Sequence, residues 1–426
     1  MKKLIALSLL AASATLGQTP DVNYDESKIG PLNLPDPLLL SNGRRVADAR
    51  EWTTLRRPEI LRLFQTHVYG KSPARPRGIK CTLLSEDKAA LDGKATRKEI
   101  RILFTGKKDG PFMDLLLYIP NQTRDKVPAF LGLNFQGNHA VTTEPGIRLS
   151  QAWFRGGRGD GVTNNRATEA SRGAEASRWA VRKIIDSGFA LATAYYGDLE
   201  PDHPQGWKNG IRAALSRDGA QTQFKPDDWG AISAWAWGLS RALDCLEKEK
   251  RIDARKVAVM GHSRLGKTAL WAGATDERFA IIISNDSGEG GAALARRNFG
   301  ETTAIINRSF PHWFCDNFKQ YAGKENLLPV DQHMLLALMA PRPVYVASAE
   351  EDKWADPKGE FLAAKHAEPV YRLFARAGLC VEDMPPVNTP VGDFIGYHIR
   401  TGKHDVTDYD WEQYIKFAAR HFRLSH

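Results

Sequence analysis

Ser263 lies in Gly261-His262-Ser263-Arg264-Leu265-Gly266-Lys267, after the apolar run 257–260 and before an amphipathic stretch. A serine on a turn between a buried strand and a helix is a nucleophile elbow. Flanking glycines let the chain turn sharply and let strand and helix approach without a Cβ in the way. The turn lifts the hydroxyl to the helix N-terminus, where free N–H groups and the positive dipole end stabilise a developing oxyanion. The chemistry that suits this arrangement is acyl transfer. The second glycine stands at 266 and Leu265 occupies the usual place, so the segment departs from G-x-S-x-G by one position. A plain strand–turn–helix with a serine N-cap is the competing reading.

A serine hydroxyl needs a base, and the base needs an acid to orient it. In hydrolases with an elbow these follow the serine in the order acid, then histidine. The histidines after Ser263 are His312, His333, His366, His398, His404, His421 and His426. His404 falls in a glycine-containing loop, 400–405, between a strand-like run and the final helix, and is the expected base. His366 sits inside a helical pattern, and His312 flanks Trp313 in an aromatic stretch suited to lining a substrate pocket. Two acids compete. Asp352 follows the strand 344–349 and ranks first; Asp286 follows the strand 281–285 and is the second candidate. A guanidinium on Arg264 beside the serine would stabilise an oxyanion, and Lys267, one helical turn on, returns to the same side. Trp354, among polar residues, would serve as a stacking platform for a sugar. Solvated helix charges and a core indole are the bland counterparts.

Apolar runs at 115–119, 130–135, 189–195, 257–260, 279–284 and 344–347 are predicted strands, and amphipathic stretches near 175–187, 227–249, 265–275, 360–378 and 408–422 are predicted helices. Their succession predicts an α/β fold, a three-layer sandwich with a mostly parallel central sheet and its site at the carboxyl ends of strands. Aperiodic segments at about 154–174 and 201–226 read as surface insertions bordering a cleft, and 20–50 as an irregular arm.

The first 18 residues have the basic start, short apolar core and small-residue end of an export signal, too short to span a bilayer. A secreted or periplasmic protein is expected, with 19–426 as one catalytic domain and no membrane span. Formal charge is +9, from 59 basic and 50 acidic residues. The basic residues are scattered without an aromatic-interleaved stripe, so nucleic acid is not the expected partner. The four cysteines, Cys81, Cys245, Cys315 and Cys380, show no C-x-x-C spacing, which argues against zinc or redox chemistry. Buried free thiols are favoured over bridges.

The elbow resembles the G-C-S-R-x-G-K signature of glucuronoyl esterases, carbohydrate esterase family fifteen, whose bacterial branch often has His where fungal members have Cys. The resemblance runs from about residue 110 to the C-terminus, through Ser284-Asn285-Asp286-Ser287-Gly288-Glu289-Gly290-Gly291, Phe310-Pro311-His312-Trp313-Phe314 and Glu351-Asp352-Lys353-Trp354-Ala355-Asp356. It implies an α/β-hydrolase fold and hydrolysis of the ester joining lignin alcohols to 4-O-methyl-glucuronate side chains of xylan. No cofactor or metal is implied; the partner is the polysaccharide ester, and a monomer is expected. Position by position it implies Ser263 as nucleophile, His404 as base, and Arg264 as oxyanion partner through its N–H and guanidinium. Lys267 and Trp354 would contact the sugar, and Glu301 would face the glucuronate hydroxyls. Asp286 stands where fungal members carry a glutamate, while Asp352 matches an acid position of some bacterial members, so the working acid stays open. An acetyl xylan esterase, or a silent carbohydrate-binding homologue, are the alternatives on the same fold.

Overall fold

Twelve strands form among the residues described by the computed structural model, 22–156, 161–215 and 224–424. They are β1 Lys80–Ala90, β2 Ala95–Leu103, β3 Phe112–Pro120, β4 Val127–Asn134, β5 Val162–Thr163, β6 Arg166–Ala167, β7 Ala190–Tyr195, β8 Ile252–His262, β9 Ile281–Asn285, β10 Val344–Ala349, β11 Val391–Gly392 and β12 Ile395–Arg400. Ten of them build one sheet in the order β1-β2-β3-β7-β4-β8-β9-β10-β12-β11. From β7 to β12 every neighbour is parallel. β1, β2 and β3 extend one side antiparallel, and β11 closes the other edge antiparallel.

Side chains alternate across each strand, and here both faces are covered. Val257, Val259 and Ile282 join the helices Ala231–Leu246 and Arg264–Thr275 in one buried cluster. Ala258, Met260, Ile281 and Ile283 face the opposite way, into a cluster with Trp411, Tyr414 and Ala418 of the helix Asp408–Phe422. That is the expected three-layer α/β-hydrolase arrangement. Every residue of β4, β7, β9, β10 and β12 is buried, which is why those strands read as continuous apolar runs.

All six predicted strands occur, and each predicted helix has a counterpart: Val181–Asp186, Ala231–Leu246, Arg264–Thr275, Pro357–Leu373 and Asp408–Phe422. The arm at 22–48 contributes Leu38, Leu40 and Val46 to the core. The predicted insertions hold the small β5–β6 ladder and the short helix Ile211–Ala214; positions 157–160 and 216–223 lie outside the described residues, as does the predicted signal, 1–18. No helix among the described residues is long and apolar enough to cross a membrane.

One expectation fails. Cys81 and Cys245 form a disulfide, with Cα atoms 6.0 Å apart, instead of remaining free thiols. Sequence spacing could not anticipate it, because the partners are 164 positions apart and meet only when edge strand β1 packs near the end of the helix Ala231–Leu246. Cys315 is free and buried, Cys380 free and exposed.

Candidate active site

Strand β8 runs into Ser263, and the helix Arg264–Thr275 starts immediately after it. Ser263 has φ 56° and ψ −129°, a conformation that residues with a Cβ rarely adopt. Its N–H donates to the Asn285 carbonyl at 2.9 Å, and its carbonyl accepts from Gly266 at 2.8 Å. The glycine requirement is steric. A Cβ on Gly261 would lie 1.9 Å from the Leu265 carbonyl oxygen, and one on Gly266 would lie 2.9 Å from the Ser287 Cβ. Position 266 is therefore where the helix presses against the exit of β9, whereas Leu265 buries its side chain in the core. The displaced glycine follows from that contact.

His404 lies beside the elbow. Its ring centroid is 4.4 Å from that of His262, the residue preceding the serine. His404 Nδ1 is 2.6 Å from Asp352 Oδ2, with the imidazole 40% exposed and the carboxylate buried. His262 in turn meets Asn285 Oδ1 through Nδ1 at 2.6 Å. Burial, then the charge of neighbouring His404, holds the His262 imidazole far below its ordinary range, so it is neutral.

Asp286 is close as well: one donor atom from each of Asp286, Asp352 and His404 lies within 4.8 Å of the others. That is the one group of such donors among the described residues that could hold a metal ion, though His404 Nδ1 is already engaged by Asp352. Of the two candidate acids, Asp352 is hydrogen-bonded to the base. Asp286 is buried with Oδ1 unpartnered in the protein and Oδ2 3.5 Å from Arg400 Nη2. Burial, followed by Glu360 and Asp352, drives its carboxyl far above the ordinary aspartate range.

On the other side of the serine, Arg264 Nη1 donates to Asp202 Oδ2 at 2.5 Å. Its guanidinium carbon is 5.0 Å from the Trp313 ring centroid and 5.5 Å from that of Phe135. Asp202 also accepts from His312 Nε2 and Trp313 Nε1, each at 2.8 Å, and from the Tyr196 hydroxyl at 3.2 Å. Burial alone would raise this carboxyl, but the hydrogen bond from His312 and the charge of Arg264 win and keep it far below the ordinary range. It is an anion that fixes the arginine.

Lys267 and Glu301 meet, and the Trp354 backbone is tied to Glu301. Lys267 Nζ donates to the Ser287 carbonyl at 2.5 Å and lies 3.9 Å from Glu301 Oε2, and the Glu301 N–H donates to the Trp354 carbonyl at 2.9 Å. Lys267 and Glu301 are buried; Trp354 is exposed at the rim. Burial lowers Lys267 and raises Glu301, and their mutual attraction opposes both shifts. His312, expected to line the substrate pocket, is buried and shares Asp202 with Arg264. Asp202 itself was not foreseen. It lies in the aperiodic segment 201–226, where an aspartate beside a proline looks like turn chemistry and nothing marks it as a buried anion.

The arrangement, a strained serine, an acid–imidazole pair and a fixed guanidinium, fits acyl transfer. A family model described as glucuronyl esterase, fungi, matches residues 222–375. A carbohydrate esterase from an unknown prokaryotic organism is 49% identical, over 98% of both chains. The chain belongs to the glucuronoyl esterases, carbohydrate esterase family fifteen. It is a carboxylic ester hydrolase of that family. A 4-O-methyl-glucuronoyl methylesterase from Wolfiporia cocos is 37% identical, over 85% of this chain and 75% of its own. Among solved structures, a glucuronoyl esterase from Solibacter usitatus superposes with a TM-score of 0.88 at 54% identity, covering 93% of this chain and all of its own. A promiscuous esterase of the same family from a marine bacterial metagenome gives 0.87 at 50% identity, covering 94% of this chain and 100% of its own.

Proposed function

We propose that this esterase cleaves the ester between lignin alcohols and 4-O-methyl-glucuronate side chains of glucuronoxylan, through an acyl-enzyme on Ser263, outside the cytoplasm after loss of residues 1–18. The observation that carries the reading is the 2.6 Å bond from Asp352 to His404, whose ring lies against the residue preceding Ser263.

His404 takes the Ser263 proton as the hydroxyl attacks the ester carbonyl, with Asp352 orienting the ring. The Arg264 N–H at the head of its helix has no intrahelical acceptor, and with the guanidinium it holds the oxyanion. His404 then gives the proton to the departing alcohol; water, activated by the same imidazole, releases the glucuronate carboxylate and restores the serine. Lys267 and Glu301 bind the sugar hydroxyls, and Trp354 covers the ring at the rim.

Hydrolysis of benzyl and methyl glucuronate, compared with acetylated xylan, tests this. Turnover of the glucuronates with a preference over acetyl esters supports it, and a loss of at least about 10⁴-fold in Ser263→Ala assigns the nucleophile. Preference for acetyl esters overturns the substrate, and unchanged activity in Ser263→Ala overturns the mechanism.

A further inference from the structure

A cleft of about 630 Å³ opens beside the site on the side of β3 and β7. β7, whose last residue Tyr195 lines the cleft, is separated from β8, the strand that ends at the elbow, by β4 alone. The two are joined by one loop. Asp202 turns inward to hold Arg264, while its neighbours Pro201 and His203 line the cleft.

The lining is polar yet balanced. Three guanidiniums, Arg101, Arg148 and Arg166, face three carboxylates, Glu99, Asp109 and Asp114. Several are already engaged within the protein: Arg101 holds Asp114 through two bonds of 2.8 and 2.7 Å, and Glu99 accepts from Ser85 and from the Arg148 N–H. A fourth carboxyl, Asp198, is pushed up to about 8 by burial and by Asp114, so at neutral pH it is mostly protonated and can both donate and accept. The indole of Trp153 lies on the same wall, its centroid 4.7 Å from the His203 ring, and its carbonyl accepts from the Tyr195 hydroxyl at 2.8 Å. With its charges matched, the cleft offers a free anion or cation little. It offers a neutral, hydroxyl-rich molecule an aromatic wall and many hydrogen-bonding partners.

We infer that this cleft is a subsite for a neutral pyranose chain, the polysaccharide arm of the substrate, with Trp153 as its stacking wall. The inference rests on the proposed function and extends it from the ester to the glycan that carries it. An aromatic leaving alcohol is the competing occupant, disfavoured because so polar a lining would be left unpaired against an apolar ring.

The test compares benzyl glucuronate with a glucuronate ester carried on a linear xylo-oligosaccharide. Trp153→Ala is expected to lower kcat/KM on the oligosaccharide ester about tenfold, the scale of one lost stacking contact, and to leave benzyl glucuronate within about twofold. Should that variant fail to fold, His203→Ala carries the same comparison. Calorimetric titration of the Ser263→Ala protein with unesterified xylo-oligosaccharide should give binding that Trp153→Ala weakens. Equal losses on both substrates, no loss on either, or a change confined to the preference for benzyl over methyl esters would overturn the assignment. If no glucuronate ester is turned over at all, the proposed function fails, and the titration still decides whether the cleft binds the chain.

Discussion

Two buried carboxylates near the elbow each hold a neighbouring side chain, and they do so very differently. Asp352 makes one short bond to His404, whose ring is 40% exposed. Asp202, fully buried, gathers Arg264, His312, Trp313 and Tyr196 around one carboxylate. The contrast matches the tasks proposed for the two groups. A base must take up and release a proton and be reached by the leaving alcohol, so it is held at one nitrogen and open at the other. A group that stabilises an oxyanion works best when it is already in place, because any reorganisation at the moment of reaction subtracts from its effect.

The largest expected effect separates the two acids. Asp352→Asn should lower kcat by about 10³–10⁴, as for loss of the carboxylate that fixes an imidazole's tautomer, while Asp286→Asn costs less than about tenfold. Steady-state kinetics on benzyl glucuronate measures both. The reverse order would make Asp286 the working acid and the 2.6 Å bond incidental.

Next comes the locked pair. Asp202→Asn should reduce kcat by about 10²–10³ and change KM little, because the guanidinium loses its fixed position while the sugar contacts proposed for Lys267 and Glu301 would remain. A rise in KM with kcat intact would mean that Asp202 shapes binding and that the aromatic rings alone hold Arg264.

The smallest effect concerns the support beneath the looser pair. Glu360 Oε1 accepts the N–H groups of Ser287 and Gly288 at 2.8 and 3.0 Å, and Oε2 accepts from Ser348 Oγ at 2.6 Å, tying the exit of β9 to β10. Burial pushes its carboxyl up to about 7 from the ordinary 4.5. The folded chain therefore holds a proton that the unfolded chain releases. This stabilisation, of order 3 kcal/mol, is fully present below about pH 4.5 and is lost as pH rises through about 7. Denaturant unfolding of wild type and Glu360→Gln should show wild type losing stability relative to the variant between pH 5 and 8. A constant gap would mean that Glu360 titrates alike in both states.

The parallel half of the sheet was legible because strands buried on both faces must be apolar throughout. β1 and β2 were not: β1 is an edge strand open to water, and β2, though mostly buried, carries Arg97, Lys98, Glu99 and Arg101, whose charges are matched by partners such as Glu144, Glu249 and Asp114, so neither shows an apolar run. Ser263, His404, Lys267, Glu301 and Trp354 were singled out from spacing and resemblance, and the structure brings His404 against His262 and Glu301 against Lys267. Asp202 and the Cys81–Cys245 bridge left no local trace. His312 was singled out for its aromatic neighbours, yet its partner proved to be a carboxylate 110 positions away.

What the chain shows by itself is the elbow: the apolar run ending at Gly261-His262-Ser263 marks a sharp turn, and the clash a Cβ on Gly261 would make with the Leu265 carbonyl is local, whereas Gly266 answers to Ser287 across the packed sheet. Which acid serves the imidazole is another matter. β10 and β12 pair in parallel, with Ala349 opposite Arg400, and this brings the loops bearing Asp352 and His404 side by side at one end of the sheet. Proximity between residues 52 positions apart depends on strand order and register, which the packing of the whole sheet decides.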